Sequence, residues 1–138
     1  MHGYEEWGTK CLDRLNGMFA FALWDDREQL LWITRDHFGI KPLYYHQSKE
    51  MFTFASEIKP LLARPDVHAR PNERVIQDYL YRARVDDTAD TFFDGIKRLL
   101  PAHCLLIQPS GTIRLERYWT PKISPRLNDE ASADEAEN

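Results

Sequence analysis

Met18-Phe19-Ala20-Phe21-Ala22-Leu23-Trp24 runs without a polar residue into Asp25-Asp26-Arg27-Glu28, and then into Gln29-Leu30-Leu31-Trp32-Ile33-Thr34. The first stretch is apolar on both alternating faces, which suits a strand covered on both sides in a layered sandwich. The charged quartet predicts a hairpin turn. The third stretch, rich in large and β-branched side chains, predicts its partner strand.

Toward the N-terminus, Tyr4, Trp7, Cys11 and Leu15 recur at helical spacing, with Glu5, Glu6, Lys10, Asp13 and Arg14 on the other face. The spacing predicts a helix over Gly3–Asn16, stopped by Asn16-Gly17. No N-cap precedes it, so the helix looks cut.

Toward the C-terminus, Arg35-Asp36-His37-Phe38-Gly39-Ile40-Lys41-Pro42 reads as a loop punctuated by Gly and Pro. Leu43–His46 and Phe52–Ala55 read as two short paired strands. Ser56 is the expected N-cap of a helix over Glu57–Ala63, with Pro60 in its first turns. Asn72 is the expected cap of a second helix carrying Val75, Ile76, Tyr79, Leu80 and Ala83 as its apolar stripe. Thr91–Leu99 reads as a short helix or 3₁₀ segment. Two last strands, Cys104–Gln108 and Ile113–Trp119, are joined by Pro109-Ser110-Gly111. The expected fold class is α+β, a sandwich with helices covering sheets.

At 138 residues the chain is long enough for one domain with a real core. Its hydrophobic share of 43 % argues against a disordered body. A formal net charge of -4 without a Lys/Arg block argues against nucleic acid as partner. No apolar run approaches the roughly 18 to 20 residues that span a bilayer. Met1–Lys10 lacks the pattern of a signal peptide, so the expected compartment is the cytoplasm. Residues 120–138, rich in Asp and Glu and poor in large apolar side chains after Asn128, read as an acidic linker or disordered tail. Domain boundaries are therefore placed at 1–119 and 120–138.

The two cysteines, Cys11 and Cys104, lie in apolar surroundings with no CxxC or His-Cys metal spacing. Both read as packed free thiols. Cys11 has no His or Lys at an activating spacing, and His103 precedes Cys104 on a strand, where neighbours point to opposite faces.

Several strings together resemble the glutamine-hydrolysing asparagine synthetase family of class II amidotransferases. They are Tyr4-Glu5-Glu6-Trp7-Gly8 with Leu15–Asp25, Arg35-Asp36-His37-Phe38-Gly39-Ile40-Lys41-Pro42-Leu43-Tyr44-Tyr45, and Phe54-Ala55-Ser56-Glu57-Ile58-Lys59. Thr91-Phe92-Phe93-Asp94-Gly95-Ile96 with Leu100-Pro101-Ala102-His103, and Arg117-Tyr118-Trp119, complete the set. The likeness covers about residues 3 to 119.

The resemblance implies an N-terminal-nucleophile hydrolase fold, an αββα sandwich present only in part, with the first strands and the nucleophile segment missing. It implies a domain that hydrolyses glutamine to glutamate and ammonia, the ammonia passing to an ATP-dependent domain that amidates aspartate. The family's nucleophile is a cysteine exposed after removal of the initiator methionine. Here position 2 is His2, which cannot form a thioester, and its bulk is expected to keep Met1 in place. The family's glutamine-binding arginine, oxyanion Asn-Gly and amine-binding aspartate would precede Tyr4. No catalytic, cofactor-binding or metal-ligating residue is therefore assigned. ATP and Mg²⁺ are expected only in the absent synthetase domain.

The expected partners are the missing N-terminal segment and that synthetase domain. Uncovered strand edges would also favour self-association. The alternatives are a non-catalytic interaction module, the scaffold half of a split amidotransferase, or a class II branch with another acceptor. Within the matched strings, Arg35-Asp36 is expected to fix its turn, Ser56-Glu57 to start a helix, and Gly39 and Gly95 to meet backbone needs. Met18 is expected in the core, at a place that borders the ammonia route in an intact enzyme.

Overall fold

The computed structural model describes residues 2–122. The acidic tail expected over 120–138 falls outside the described residues from 123 onward, as does Met1. Among the described residues seven strands form two antiparallel sheets. β1 (Ala20–Asp25), β2 (Leu30–Arg35), β6 (His103–Ile107) and β7 (Ile113–Arg117) lie in the order β1-β2-β6-β7. β3 (Tyr44–Gln47), β4 (Phe52–Ala55) and β5 (Ile96–Arg98) form the second sheet in the order β4-β3-β5. The mixed α and β class read from the sequence holds.

Period-two alternation builds the layers. Ile33, Leu105 and Ile107 point from the four-stranded sheet toward Leu43 and Leu99, and Tyr45 and Phe52 of the second sheet pack on the same cluster. The opposite side chains of β2 and β6, Trp32 and Cys104, pack with Cys11 and Leu12 from the N-terminal helical segment. On the far side of the three-stranded sheet, α2 (Ile58–Leu62) contributes Leu61 to a cluster with Val67 and Ile96.

Several local expectations change. The single helix over Gly3–Asn16 is a short α1 (His2–Trp7) followed by a 3₁₀ segment, Gly8–Arg14. Gly8 has φ +58, which ends the α-helix well before Asn16-Gly17. β1 starts at Ala20, leaving Met18 61 % exposed rather than in the core. β1 is also an edge strand, so it is covered less than its composition suggested. Its turn forms as expected: the Asp25 carboxylate accepts the backbone N–H of Arg27 and Glu28 at 2.9 and 3.1 Å.

Ser56 does not cap α2. The cap position falls to Glu57, whose side chain makes no capping hydrogen bond. Asn72 does cap α3 (Glu73–Arg82), accepting from the Val75 N–H at 3.4 Å. Thr91–Leu99 is not helical. It contains β5, paired with β3 from Tyr44↔Arg98 to His46↔Ile96. The buried Thr91 hydroxyl donates to the Ile96 carbonyl at 2.8 Å, accepts the Phe93 N–H at 3.1 Å and so holds the preceding turn. Among the described residues no helix is long and apolar enough to cross a membrane.

Candidate functional site

The most heavily constrained irregular segment is the loop of residues 35–42, between β2 and β3. Arg35 ends β2 and directs its guanidinium into three backbone carbonyls: Lys41 at 2.7 Å, Leu99 at 2.6 Å and Gly39 at 2.5 Å. A planar fork with fixed donors suits such a task better than an ammonium. Burial pushes the Arg35 pKa down from its ordinary value, while Asp36 beside it pushes the other way.

Asp36 is 1 % exposed. Its carboxylate accepts the backbone N–H of Phe38, Ile40 and Lys41 at 3.1, 2.9 and 2.9 Å. Burial by itself pushes its pKa up, but the N–H donors outweigh that and hold the carboxyl below its usual range. Its carbonyl also accepts from Ala102 N–H at 2.9 Å, and its own N–H donates to Phe19 at 2.8 Å. The expected turn-fixing role of the pair is present, carried by backbone contacts.

Gly39 sits at the centre with φ +66. A Cβ there would lie 2.8 Å from Pro101 Cγ and 3.0 Å from Arg35 Cζ. Gly95, with φ +77, lies beneath the His46 ring, whose Nδ1 is 2.9 Å from the Gly95 carbonyl. Both glycines answer backbone needs.

Tyr118 and Trp119 close on this loop. The Tyr118 hydroxyl donates to the Arg35 carbonyl at 2.6 Å, and burial raises its pKa to about 12. The His37 ring stands edge-on to Phe19, Tyr118 and Trp119, with centroids 6.1, 5.4 and 5.0 Å away. Phe38 and Ile40, by contrast, project outward at 72 % and 56 % exposure.

Cys11 and Cys104 come together in one buried cluster without a disulfide. Burial pushes both thiols up from their ordinary pKa, which disfavours the thiolate a nucleophile requires. His103 turns its Nδ1 to the Pro101 carbonyl at 2.7 Å. His2 is fully exposed, its ring 3.1 Å from Glu5. Among the described residues no group of three or more His, Cys, Asp or Glu is placed to hold a metal ion.

Two hollows flank β1. An apolar cavity of about 300 Å³ lies among Tyr4, Cys11, Leu15, Phe21, Leu23 and Trp32. A wider hollow of about 730 Å³ is bordered by Glu5, Asp25, Asp26 and Glu28. Tyr4 separates them, donating its hydroxyl to Asp25 at 2.8 Å, and burial lifts its pKa to about 12. Neither hollow brings a nucleophile and a base together.

The helical expectation for Thr91–Leu99 conceals Arg98. As a strand, Ile96-Lys97-Arg98 alternates in, out and in, which places the guanidinium at 11 % exposure against Asp86.

A family model described as a glutamine amidotransferase domain matches residues 1–119. Asparagine synthetase [glutamine-hydrolyzing] 3 of Bacillus subtilis is 40 % identical over 119 residues, covering 86 % of this chain and 19 % of the relative. Amidase chyE of Penicillium rubens is 34 % identical over 135 residues, covering 96 % and 19 %. Asparagine synthetase [glutamine-hydrolyzing] 1 of Bacillus subtilis is 31 % identical over 128 residues, covering 92 % and 20 %. The chain thus spans 19 to 20 % of the length of these curated relatives.

Proposed function

The chain belongs to the glutamine amidotransferase domain family, and from that membership we propose that residues 1–119 are the scaffold part of a glutamine-hydrolysing domain in an asparagine synthetase-like enzyme. In this reading the two packed sheets are the later portion of an N-terminal-nucleophile αββα sandwich. A preceding segment supplies the cysteine nucleophile and the glutamine-binding groups. Ammonia released there passes to an ATP-dependent amidating domain, where ATP and Mg²⁺ act.

One observation carries the reading: among the described residues β1 is an open edge, flanked by an apolar cavity of about 300 Å³ inside a chain that matches the family over 1–119. Unpaired edge N–H and C=O groups beside an apolar hollow are suited to receive a further strand and its side chains. The buried, protonated thiols of Cys11 and Cys104 support a role without a nucleophile of its own. Relatives named as asparagine synthetases and as amidases match the same region, so the acceptor is assigned to the part of the enzyme beyond it.

The test is glutamate release from glutamine by the purified chain, with and without the preceding segment of Bacillus subtilis asparagine synthetase [glutamine-hydrolyzing] 3 supplied in trans. The expected result is no release alone and release on mixing. Release by the chain alone, abolished by Cys11→Ala or Cys104→Ala, would overturn the assignment. Binding of the segment without any release would favour the second reading, a non-catalytic interaction module.

A further inference from the structure

We propose that residues 73–88 form a flap that opens as a unit, independently of the two sheets, and that arginine–aspartate latches hold it shut. Backbone contacts clamp both of its ends. On one side Pro71 bridges Phe93, and the Asn72 N–H donates to the Phe92 carbonyl at 2.8 Å. On the other, Asp90 bridges Lys97, and the Arg98 N–H donates to the Ala89 carbonyl at 2.7 Å. Between the clamps no residue of 73–88 is buried.

α3 makes up most of this excursion, and it has an Asn72 cap but no buried side chain. A helix of ten residues has too few internal hydrogen bonds to persist in water without packing. Its apolar residues pack only in part: Val75 and Ile76 are half-buried and Tyr79 meets Phe92 edge-on at 5.6 Å, while Leu80 and Tyr81 are 71 % and 85 % exposed.

What closes the flap is charge. Arg74 of α3 pairs with Asp90 of the far clamp, and Asp86 of the flap pairs with Arg98 of β5. The Arg98 Nη2 also lies 3.4 Å from the Asp90 carbonyl. Asp86 is held at φ +68, a conformation that Asp and Asn tolerate better than other side chains. Opening breaks these pairs and the Tyr79–Phe92 contact, and it moves no buried residue of 73–88 into water. Local opening is therefore far easier than global unfolding, and added salt screens the pairs that oppose it.

Hydrogen–deuterium exchange of the 138-residue chain tests this, with peptides from 73–88 compared with those from β2 and β6. The flap peptides should exchange more than about tenfold faster than the sheet peptides, and faster still at high salt. Asp86→Asn keeps the φ +68 backbone while weakening the latch. It should speed flap exchange by roughly two- to fivefold, with β2 and β6 unchanged. Arg74→Gln, an exposed site, gives a second variant with the same expected result. Asp66→Asn removes an ion pair with Arg64 outside the flap and serves as the control. Flap exchange no faster than that of β2, equal acceleration of every peptide, or no response to either latch variant would each overturn the proposal.

Discussion

Arg35 and Asp36 are neighbours in sequence, and they brace one loop from opposite polarities. The guanidinium gathers the carbonyls of Gly39, Lys41 and Leu99, while the carboxylate gathers the N–H groups of Phe38, Ile40 and Lys41. Lys41 is held by both, its carbonyl by one residue and its N–H by the other. Three N–H groups and two carbonyls of residues 36–41 thereby find partners within the protein, although these residues belong to neither sheet.

Asp36→Ala leaves three N–H groups facing a site without an acceptor. Stability should fall by about 2–3 kcal/mol, read as a lower midpoint of urea unfolding with an unchanged slope. Asp36→Asn, which retains one acceptor oxygen, should fall between wild type and Asp36→Ala.

The same carboxylate makes stability depend on pH in one direction. Its folded pKa lies below its ordinary value, so near pH 4 the unfolded chain binds the proton more readily than the folded one. The contribution is therefore fully present above about pH 4 and is lost as pH falls through the folded pKa. Unfolding midpoints across acid pH should converge for wild type and Asp36→Asn. A difference that stays constant into strong acid would refute the assignment.

Arg35→Lys keeps the charge but loses the fork. One ammonium cannot reach three carbonyls that diverge around a planar group, so the variant should lose about 1–2 kcal/mol. Thermal melting shows whether this conservative exchange is tolerated.

Gly39→Ala and Gly111→Ala separate crowding from backbone strain. Gly111 has φ +84 with nothing within 4 Å of an added Cβ, so strain alone should cost about 1 kcal/mol. At Gly39 the Cβ also meets Pro101 at 2.8 Å. The cost there should be about 2 kcal/mol or more, and urea titration of the pair measures the difference.

Cys11 and Cys104, 7 % and 2 % exposed with thiol pKa values raised by burial, should resist alkylation in the folded chain. Mass spectrometry after iodoacetamide should find both unmodified until denaturant is added. Rapid labelling of either one in the native protein would contradict its placement.

What the sequence made legible was local. The β1–β2 hairpin follows from two apolar, β-prone runs around an Asp-rich turn, and the start of α3 follows from Asn72 ahead of its apolar stripe. The helical spacing before β1 continues past Gly8, where the backbone turns to positive φ and the helix ends. The strand character of β5 rests on pairing with β3 far back in the chain, which leaves no trace in the three residues Ile96–Arg98. The loop of residues 35–42 was visible as a Gly/Pro loop. That Arg35 reaches the Leu99 carbonyl, 64 residues away, is tertiary information.

Trp32 and Ile33 stand side by side on β2, both at 0 % exposure, and face opposite interiors. The two interiors thus share a single wall, and neither can dissolve while that wall stays in place. Heating should melt them together in one cooperative transition, and a lesion at either residue should lower that common midpoint rather than split it in two.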